Sequence, residues 1–244
     1  MIDDQEIRDR ATSLGVPESQ IRRDHLLSHL IQGLTGVDEV VFIGGTALNR
    51  THLQDVRLSE DVDLHLLDGT SDDLINHLIS AVRLEFPGLT PASTQARGDV
   101  TTTPLSVDQL RVSIQVIRRR HQWLDLPATR TKVRLYYSDL PANAELTVPT
   151  PASFVAMKLS AYVDRHAPRD LFDLQQLVEH GAFSEEALAL VRKLMGRLLV
   201  KEEFLSAPTE DQWSNELAHQ VGDPGRPEDA LDTVFARLGQ LMDW

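Results

Sequence analysis

Residues 40–66 read VVFIGGTALNRTHLQDVRLSEDVDLHL, and this stretch decides the fold. It opens with four apolar residues that run into Gly44-Gly45, which is typical of a buried strand ending in a tight turn. Thr46 follows, and we expect it to cap the N-terminus of a short helix. In the run at 58–66, the apolar residues Val62, Leu64 and Leu66 alternate with Asp61, Asp63 and His65, which indicates a strand with one buried face. The predicted order is therefore strand, glycine turn, helix and strand.

The second of these strands carries two carboxylates. Asp61 and Asp63 lie two positions apart, so both side chains project from one face. Carboxylates held this close repel each other, and Mg²⁺ is a suitable compensating ion because it takes oxygen ligands from one or two carboxylates plus substrate phosphates. On its own, Asp-x-Asp is also common on solvated strands, and Gly-Gly is often simply a tight turn. Their combination favours a phosphate site, since backbone N–H groups at a helix N-terminus attract anions.

The composition narrows the class of protein. With 37 acidic and 24 basic residues the formal net charge is -13, which argues against broad, nonspecific coating of nucleic acid. The sequence has no cysteine, so it contains no disulfide and no thiolate metal site. The charged N-terminus lacks the apolar core of a signal peptide, and no apolar run approaches the roughly 18 residues of a membrane span. We expect a soluble, cytoplasmic protein without a membrane partner.

The remaining sequence divides into a mixed region and a helical region. Before the proline-rich stretch at 141–151, the pattern predicts helices over 1–36 (interrupted at residues 15–17) and 71–85, strands at 109–117 and 133–137, and a loop over 86–105 with a strand near Val100. After that stretch, it predicts helices over 152–165, 170–180, 184–205 and 228–242, with 206–227 as a connection. We therefore predict an α+β fold followed by a helical lobe.

A second block of charged residues lies in the helical region, where residues 157–174 read MKLSAYVDRHAPRDLFDL. Lys158 and Arg165 are seven positions apart, so on a helix they share a face that could point at phosphates. Asp170 and Asp173 also share a face. The alternative is a helical surface with ion pairs, and for the two aspartates the spacing does not rank structural pairing against catalytic support.

Together these motifs resemble the signature of the AbiEii and MenT nucleotidyltransferase toxins, a branch of the DNA polymerase β-like nucleotidyltransferase superfamily. The resemblance rests on GGTAL at 44–48, RLSEDVDL at 57–64 and the block at 157–174, and it covers residues 38–180. It implies an α+β fold in which residues 1–150 form a nucleotidyltransferase-like mixed β-sheet core with flanking helices. Residues 151–244 would form a helical C-terminal lobe that completes the active site.

The resemblance also implies roles for individual residues. The implied metal ligands are Asp61 and Asp63, and the implied catalytic residues are the same pair with Lys158, Asp170 and Asp173. The implied nucleotide-binding residues are Gly44, Gly45, Thr46, Arg57, Ser59, Lys158 and Arg165. The implied reaction is transfer of a nucleoside monophosphate from an NTP to a hydroxyl acceptor, the 3′ end of a tRNA, with Mg²⁺ or alternatively Mn²⁺. The protein would be the toxin of a toxin–antitoxin pair, with a cognate antitoxin protein as its partner.

Two features leave alternatives open. Many superfamily members carry a third carboxylate on a later strand, and in the predicted strand at 109–117 Gln115 occupies that position. The one basic cluster consists of Arg118, Arg119 and Arg120. It is a candidate RNA contact, with Trp123 available to stack on a base, and the alternative is a solvated loop. The acceptor could instead be a small molecule or a protein side chain, and a third alternative is a nucleotide-binding regulator without catalytic activity.

Overall fold

The computed structural model describes residues 2–53, 56–118, 122–242 and 244. The chain divides into two compact units, the first formed by residues 1–124 and 128–148 and the second by residues 125–127 and 149–244. The first unit contains the β-sheets, and the second is helical. Across the described ranges, no helix has the length and apolar character needed to cross a membrane.

A mixed six-stranded sheet forms the centre of the first unit. Its strands are β1 (Val40–Ile43), β2 (Asp61–Leu66), β3 (Thr90–Pro91), β4 (Gln95–Arg97), β5 (Val100–Val107) and β6 (Leu110–Arg118). They are ordered β1-β2-β6-β5-β3, with β4 paired to β5. Strands β2 and β6 run parallel, and the other pairs are antiparallel. The predicted α+β class is confirmed, and the predicted strands near Val100 and at 109–117 are β5 and β6.

The alternation seen in the sequence separates the two faces of this sheet. Val62 and Leu64 of β2 are fully buried, whereas Asp61 and Asp63 between them are partly exposed. On β6, the apolar residues Val112, Ile114 and Val116 are likewise buried. Burying this apolar face fixes which side chains of β2 remain on the other side of the sheet.

Four helices and a small second sheet complete the first unit. They are α1 (Asp4–Leu14), α2 (Glu18–Gln32), α3 (Gly44–Thr51), α4 (Ser71–Ala81), β7 (Ala128–Arg134) and β8 (Asn143–Pro149), with β7 and β8 paired to each other. The predicted break between the first two helices is confirmed, because Gly15 ends α1 in the left-handed conformation. Helix α2 contacts both β2 and β6, so it covers the apolar face of the sheet.

In the second unit the described α-helices number five, and three of them begin at a capping hydroxyl. They are α5 (Pro151–Arg165), α6 (Pro168–Glu179), α7 (Glu185–Met195), α8 (Glu210–Leu217) and α9 (Pro227–Met242). The hydroxyls of Thr150, Ser184 and Thr209 accept backbone N–H groups at the starts of α5, α7 and α8. Helix α5 packs against α6 and α7, and α6 packs against α8 and α9.

Four element predictions were wrong in their extent. The loop predicted over 86–105 contains β3 and β4 before β5 begins. The helix predicted over 184–205 ends at Met195, because Gly196 takes the left-handed conformation with φ 67°. The connection predicted over 206–227 contains α8, whose capping box between Thr209 and Gln212 is a local start signal. The strand predicted at 133–137 is β7, which ends at Arg134, and Tyr136 beyond it has a φ of 69°.

Candidate active site

The glycine turn between β1 and α3 lies directly against the Asp63 carboxylate. Gly44 has a φ of 78°, a conformation that side chains with a Cβ rarely adopt. A Cβ added there would lie 1.9 Å from Asp63 Oδ2 and 2.7 Å from Asp63 Cγ. The antiparallel pairing of Ile43 with Asp63 brings the turn to this position. Glycine is therefore required at 44 both for the backbone conformation and for space.

Side chains from α3 fix the turn to β2. The Thr46 hydroxyl donates a hydrogen bond to the backbone carbonyl of Asp61. The predicted capping role of Thr46 was wrong, because Ile43 is the N-cap residue of α3 and makes no side-chain cap. The Asn49 amide donates to the carbonyl of Gly45 at 2.9 Å. These bonds hold the start of α3 beside the aspartate pair, so the structure brings Gly44, Gly45, Thr46, Asp61 and Asp63 together.

Strand β6 contributes neutral polar residues next to the aspartates. In the parallel register Asp61 pairs with Ser113, and Asp63 pairs with Gln115. Paired residues on neighbouring strands project from the same face of a sheet. The position where a third carboxylate was expected is therefore adjacent to Asp63, and it holds an amide. Neither β5 nor β6 contains an aspartate or glutamate in its sequence.

Arg57 and Ser59 lie in the segment that leads into β2, and both are buried. The Arg57 guanidinium donates to the Leu58 carbonyl at 3.1 Å and to Ser59 Oγ at 3.3 Å. The amide of Gln20 on α2 donates to the Ser59 carbonyl at 3.5 Å. These contacts shape the approach to Asp61, while a direct role of Arg57 or Ser59 in nucleotide binding stays a prediction.

An ion-pair cluster joins α5 to α6 in the second unit. Lys158 Nζ lies 2.9 Å from Asp170 Oδ1 and 2.7 Å from Asp173 Oδ2. Arg165 Nε donates to Asp170 Oδ2 at 2.7 Å. Both carboxylates are almost fully buried, and most of the Arg165 side chain is exposed. Burial raises the pKa of Asp170, but Lys158 and Arg165 outweigh this effect and hold that pKa below its ordinary value.

From the spacing, structural pairing and catalytic support were equal alternatives for the two aspartates. Both aspartates hold the Lys158 ammonium, and Asp170 also holds Arg165. These ion pairs fix the position of a lysine that is itself mostly buried, which either alternative requires. A catalytic or nucleotide-binding role for these four residues stays a prediction.

Comparison with known protein families matches residues 25–237 to the family described as "Nucleotidyl transferase AbiEii toxin, Type IV TA system". The chain belongs to this family. The predicted membership is confirmed, and the match extends well beyond the residues that carried the resemblance. Membership implies nucleotidyltransferase activity with an NTP substrate, and an antitoxin partner. A comparison with curated protein sequences finds no match.

Solved structures show the same fold. MenT4, a nucleotidyltransferase toxin from Mycobacterium tuberculosis H37Rv, superimposes with a TM-score of 0.62 at 23% identity, covering 93% of this chain and 83% of that one. JHP933 from Helicobacter pylori superimposes with a TM-score of 0.59 at 16% identity, covering 93% of this chain and 94% of that one. The AbiEii chain thus shares its fold with a nucleotidyltransferase toxin over most of both chains.

The basic cluster is only partly defined in the AbiEii chain. Arg118 is exposed at the end of β6, whereas the predicted contacts Arg119 and Arg120 lie outside the described residues. Arg118 lines a cavity of about 290 Å³ together with Leu67, Thr70 and other residues that follow β2. His65 is buried and hydrogen-bonds through Nε2 to the Arg118 carbonyl at 3.2 Å, so this imidazole ties β2 to the end of β6.

Two polar clusters of the first unit were not predicted from the sequence. Arg50 of α3 is buried and pairs with Asp24 of α2 at 2.6 Å. The same carboxylate accepts a hydrogen bond from the Tyr137 hydroxyl at 2.7 Å. This network anchors α3, and with it the glycine turn, to α2.

The second cluster is a group formed by His25, His29 and Asp139. The i,i+4 spacing of its two histidines was a usable signal, but its aspartate lies more than a hundred residues away.

Proposed function

We propose that this AbiEii-family protein transfers a nucleoside monophosphate from an NTP to a hydroxyl acceptor and releases pyrophosphate. The observation that carries the proposal is the contact between the Gly44 backbone and the Asp63 carboxylate. That contact puts the N-terminus of α3 beside the aspartate pair, so backbone N–H groups of a kind that suits phosphate lie near carboxylate oxygens of a kind that suits a metal. The hydrogen bond from Thr46 to the backbone of Asp61 supports the same arrangement.

The donor set fits a hard divalent cation. Asp61 and Asp63 project from one face of β2 and are both partly exposed, as ligands shared with a substrate must be. Asp61 and Asp63 would hold Mg²⁺, or Mn²⁺ in its place. When bound, such an ion neutralises charge on the phosphates during transfer.

The reaction forms one bond and breaks one. The acceptor oxygen attacks the α-phosphorus of the NTP, and the bond from that phosphorus to the bridging oxygen of the β-phosphate breaks. Pyrophosphate carries away the electron pair, and the hydroxyl proton passes to an aspartate of the pair or to water. The Gln115 amide beside Asp63 has no basic site for this proton, so it can contribute only hydrogen bonds.

The acceptor that we propose is the 3′ end of a tRNA, and the biological role is that of a cytoplasmic toxin held in check by its antitoxin. An exposed arginine at position 118 supports contact with a polyanion. Lys158 and Arg165 are proposed to contribute positive charge for the triphosphate. The exposure of most of the Arg165 side chain supports this role.

Purified protein incubated with each α-labelled NTP, total tRNA and Mg²⁺ or Mn²⁺ tests the reaction. We expect label on tRNA with wild type and at least about a 100-fold loss with Asp61→Asn or Asp63→Asn. Asp72→Asn, which removes an exposed carboxylate on α4, is the matched control and should transfer at the wild-type rate. Transfer by none of the NTPs with either metal would count against the proposal, as would transfer that survives Asp63→Asn.

A second experiment identifies the acceptor class. Replacing the three arginines at 118–120 with glutamine should reduce transfer to tRNA by at least about tenfold, because phosphate contacts supply much of RNA affinity. Transfer to a small hydroxyl acceptor should be unaffected. Equal loss with both acceptors would show that the arginines act on the reaction itself, and no loss with tRNA would contradict an RNA-binding role.

A further inference from the structure

Two histidines of α2 and one aspartate converge on a single point in the first unit. His25 Nε2 lies 3.1 Å from His29 Nε2 and 3.1 Å from Asp139 Oδ2, and His29 Nε2 lies 3.4 Å from Asp139 Oδ2. The histidines are four positions apart on the helix, which stacks them on one face. Asp139 comes from the segment between β7 and β8. All three side chains are largely buried.

The protonation of the two imidazoles decides what this triangle can hold. With a proton on each Nε2, both histidines can donate to the Asp139 carboxylate and no ion is needed. With both Nε2 atoms unprotonated, two nitrogen lone pairs and a carboxylate oxygen converge on one point, and a cation there takes all three as ligands. A metal is therefore favoured by this convergence and by the kind of donor atoms.

The distances suit a first-row divalent metal. The three separations place each donor atom about 1.9 Å from the centre of the triangle, so an ion at the roughly 2.0–2.1 Å of zinc–nitrogen and zinc–oxygen bonds would sit just out of its plane. That is the position of a tetrahedral ion with three protein ligands and a fourth place for water. Two imidazoles and one carboxylate are a donor set that zinc accepts and that magnesium and calcium disfavour.

The surroundings limit access of solvent to the three ligands. The Phe86 ring lies 5.5 Å from His25 and 5.4 Å from His29, measured between centroids. The Tyr137 ring lies 4.8 Å from His25 and packs against its edge. These rings restrict how the imidazoles can turn, so the nitrogens are held in position. The site is therefore preorganised by packing rather than assembled on an exposed surface.

We propose that His25, His29 and Asp139 bind a divalent transition-metal ion, with zinc preferred, and that this ion ties α2 to the segment between β7 and β8. The site is separate from the carboxylate pair of β2 and does not depend on the function proposed for it. Its role is structural. Helix α2 covers the sheet and holds Arg50 through Asp24, so fixing α2 also steadies α3.

Zinc binding by the full chain tests the proposal. Protein treated with chelator and dialysed would be titrated with zinc by calorimetry, and its metal content would be measured. We expect about one zinc per chain, and a Tm that rises by roughly 5–10 °C at zinc concentrations 100-fold above Kd. Substitution with cobalt should give the intense visible absorption of a tetrahedral ion. Less than one-tenth of an ion per chain with an unchanged Tm would overturn the proposal.

Matched variants assign the binding to these residues. His29→Ala should reduce zinc affinity at least about 100-fold, whereas His77→Ala, which removes an exposed histidine of α4, should leave affinity unchanged. Asp139→Asn, which keeps the size of the side chain and one accepting oxygen but removes the charge, should also lose zinc while its circular dichroism spectrum stays native. The double variant Asp61→Asn/Asp63→Asn should retain zinc. The assignment would be refuted if the double variant lost its zinc, or if His29→Ala bound zinc with wild-type affinity.

Discussion

Replacing Gly44 with alanine separates the role of the glycine turn from a general effect on stability. Two costs are expected. A φ of 78° is unfavourable for alanine by about 1–2 kcal/mol. In addition, the new Cβ would lie 1.9 Å from Asp63 Oδ2, whereas ordinary contacts begin near 3.4 Å. Either the carboxylate or the turn must therefore move by roughly 1.5 Å, and a displacement of about 1 Å in an active site can cost 100-fold in rate.

Gly36→Ala is the matched control for the first cost alone. Gly36 has a φ of 84°, and a Cβ added there would meet nothing within 4 Å. It should lose the same 1–2 kcal/mol, which for a chain of this size lowers Tm by roughly 2–8 °C, without changing the reaction. Gly44→Ala should lose at least about 100-fold in kcat/KM for nucleotide transfer while remaining folded.

The assay is the rate of transfer from an α-labelled NTP, measured beside urea unfolding of both variants. A folded Gly44→Ala protein with kcat/KM within about threefold of wild type would refute the reasoning, because Asp63 would then tolerate displacement. An equal loss of activity in Gly36→Ala would show that strain anywhere in the first unit suffices. In that case the loss of activity in Gly44→Ala could not be attributed to the contact with Asp63.

Three further predictions concern buried charge. Lys158→Met should lower the free energy of unfolding by about 3–5 kcal/mol, because it leaves two buried carboxylates without their shared cation. Urea titrations measure this change, and a loss below about 1 kcal/mol would contradict the prediction. The folded-state pKa of Asp170 lies below its ordinary value, so its stabilisation is present above about pH 4 and is lost as pH falls further. Tm measured between about pH 3 and 6 should therefore fall more steeply in wild type than in Asp170→Asn, and parallel curves would refute the prediction. Arg50→Met should lower the free energy of unfolding by about 3–5 kcal/mol, because it leaves the Asp24 carboxylate buried without its cation. Adding Asp24→Leu should restore part of that free energy, since the unpaired carboxylate is then gone. If the effects of the two substitutions simply add, the two residues are not coupled.

Features set by local patterns were predictable, and features set by distant contacts were not. The alternation around Asp61 and Asp63 and the glycines before them specify strand, turn and strand within 27 residues, because burial of one face fixes register. The contact of Thr46 with the Asp61 backbone was not predictable, since it depends on how β1 and β2 pair. His25 and Asp139 are 114 positions apart and meet only in the folded chain.

The second unit shows the same limit in its element boundaries. Gly196 ends α7 although apolar residues continue beyond it, so periodicity alone extended the predicted helix too far. Helix α8 was missed because prolines on both sides marked its surroundings as a connection. The capping box of α8 was visible in the sequence. The helix has only eight residues, however, and a helix of that length depends on packing for its stability.

The amide at Gln115 changes the charge balance of the sheet face that carries the aspartates. With two carboxylates instead of three, the charge of one divalent ion would balance the formal charge of the two aspartates. A third carboxylate would leave one negative charge facing the incoming triphosphate and would add self-repulsion whenever no ion is bound. In the absence of an ion, two neighbouring carboxylates repel each other less than three would, so the amide at Gln115 lowers the self-repulsion of this part of the sheet.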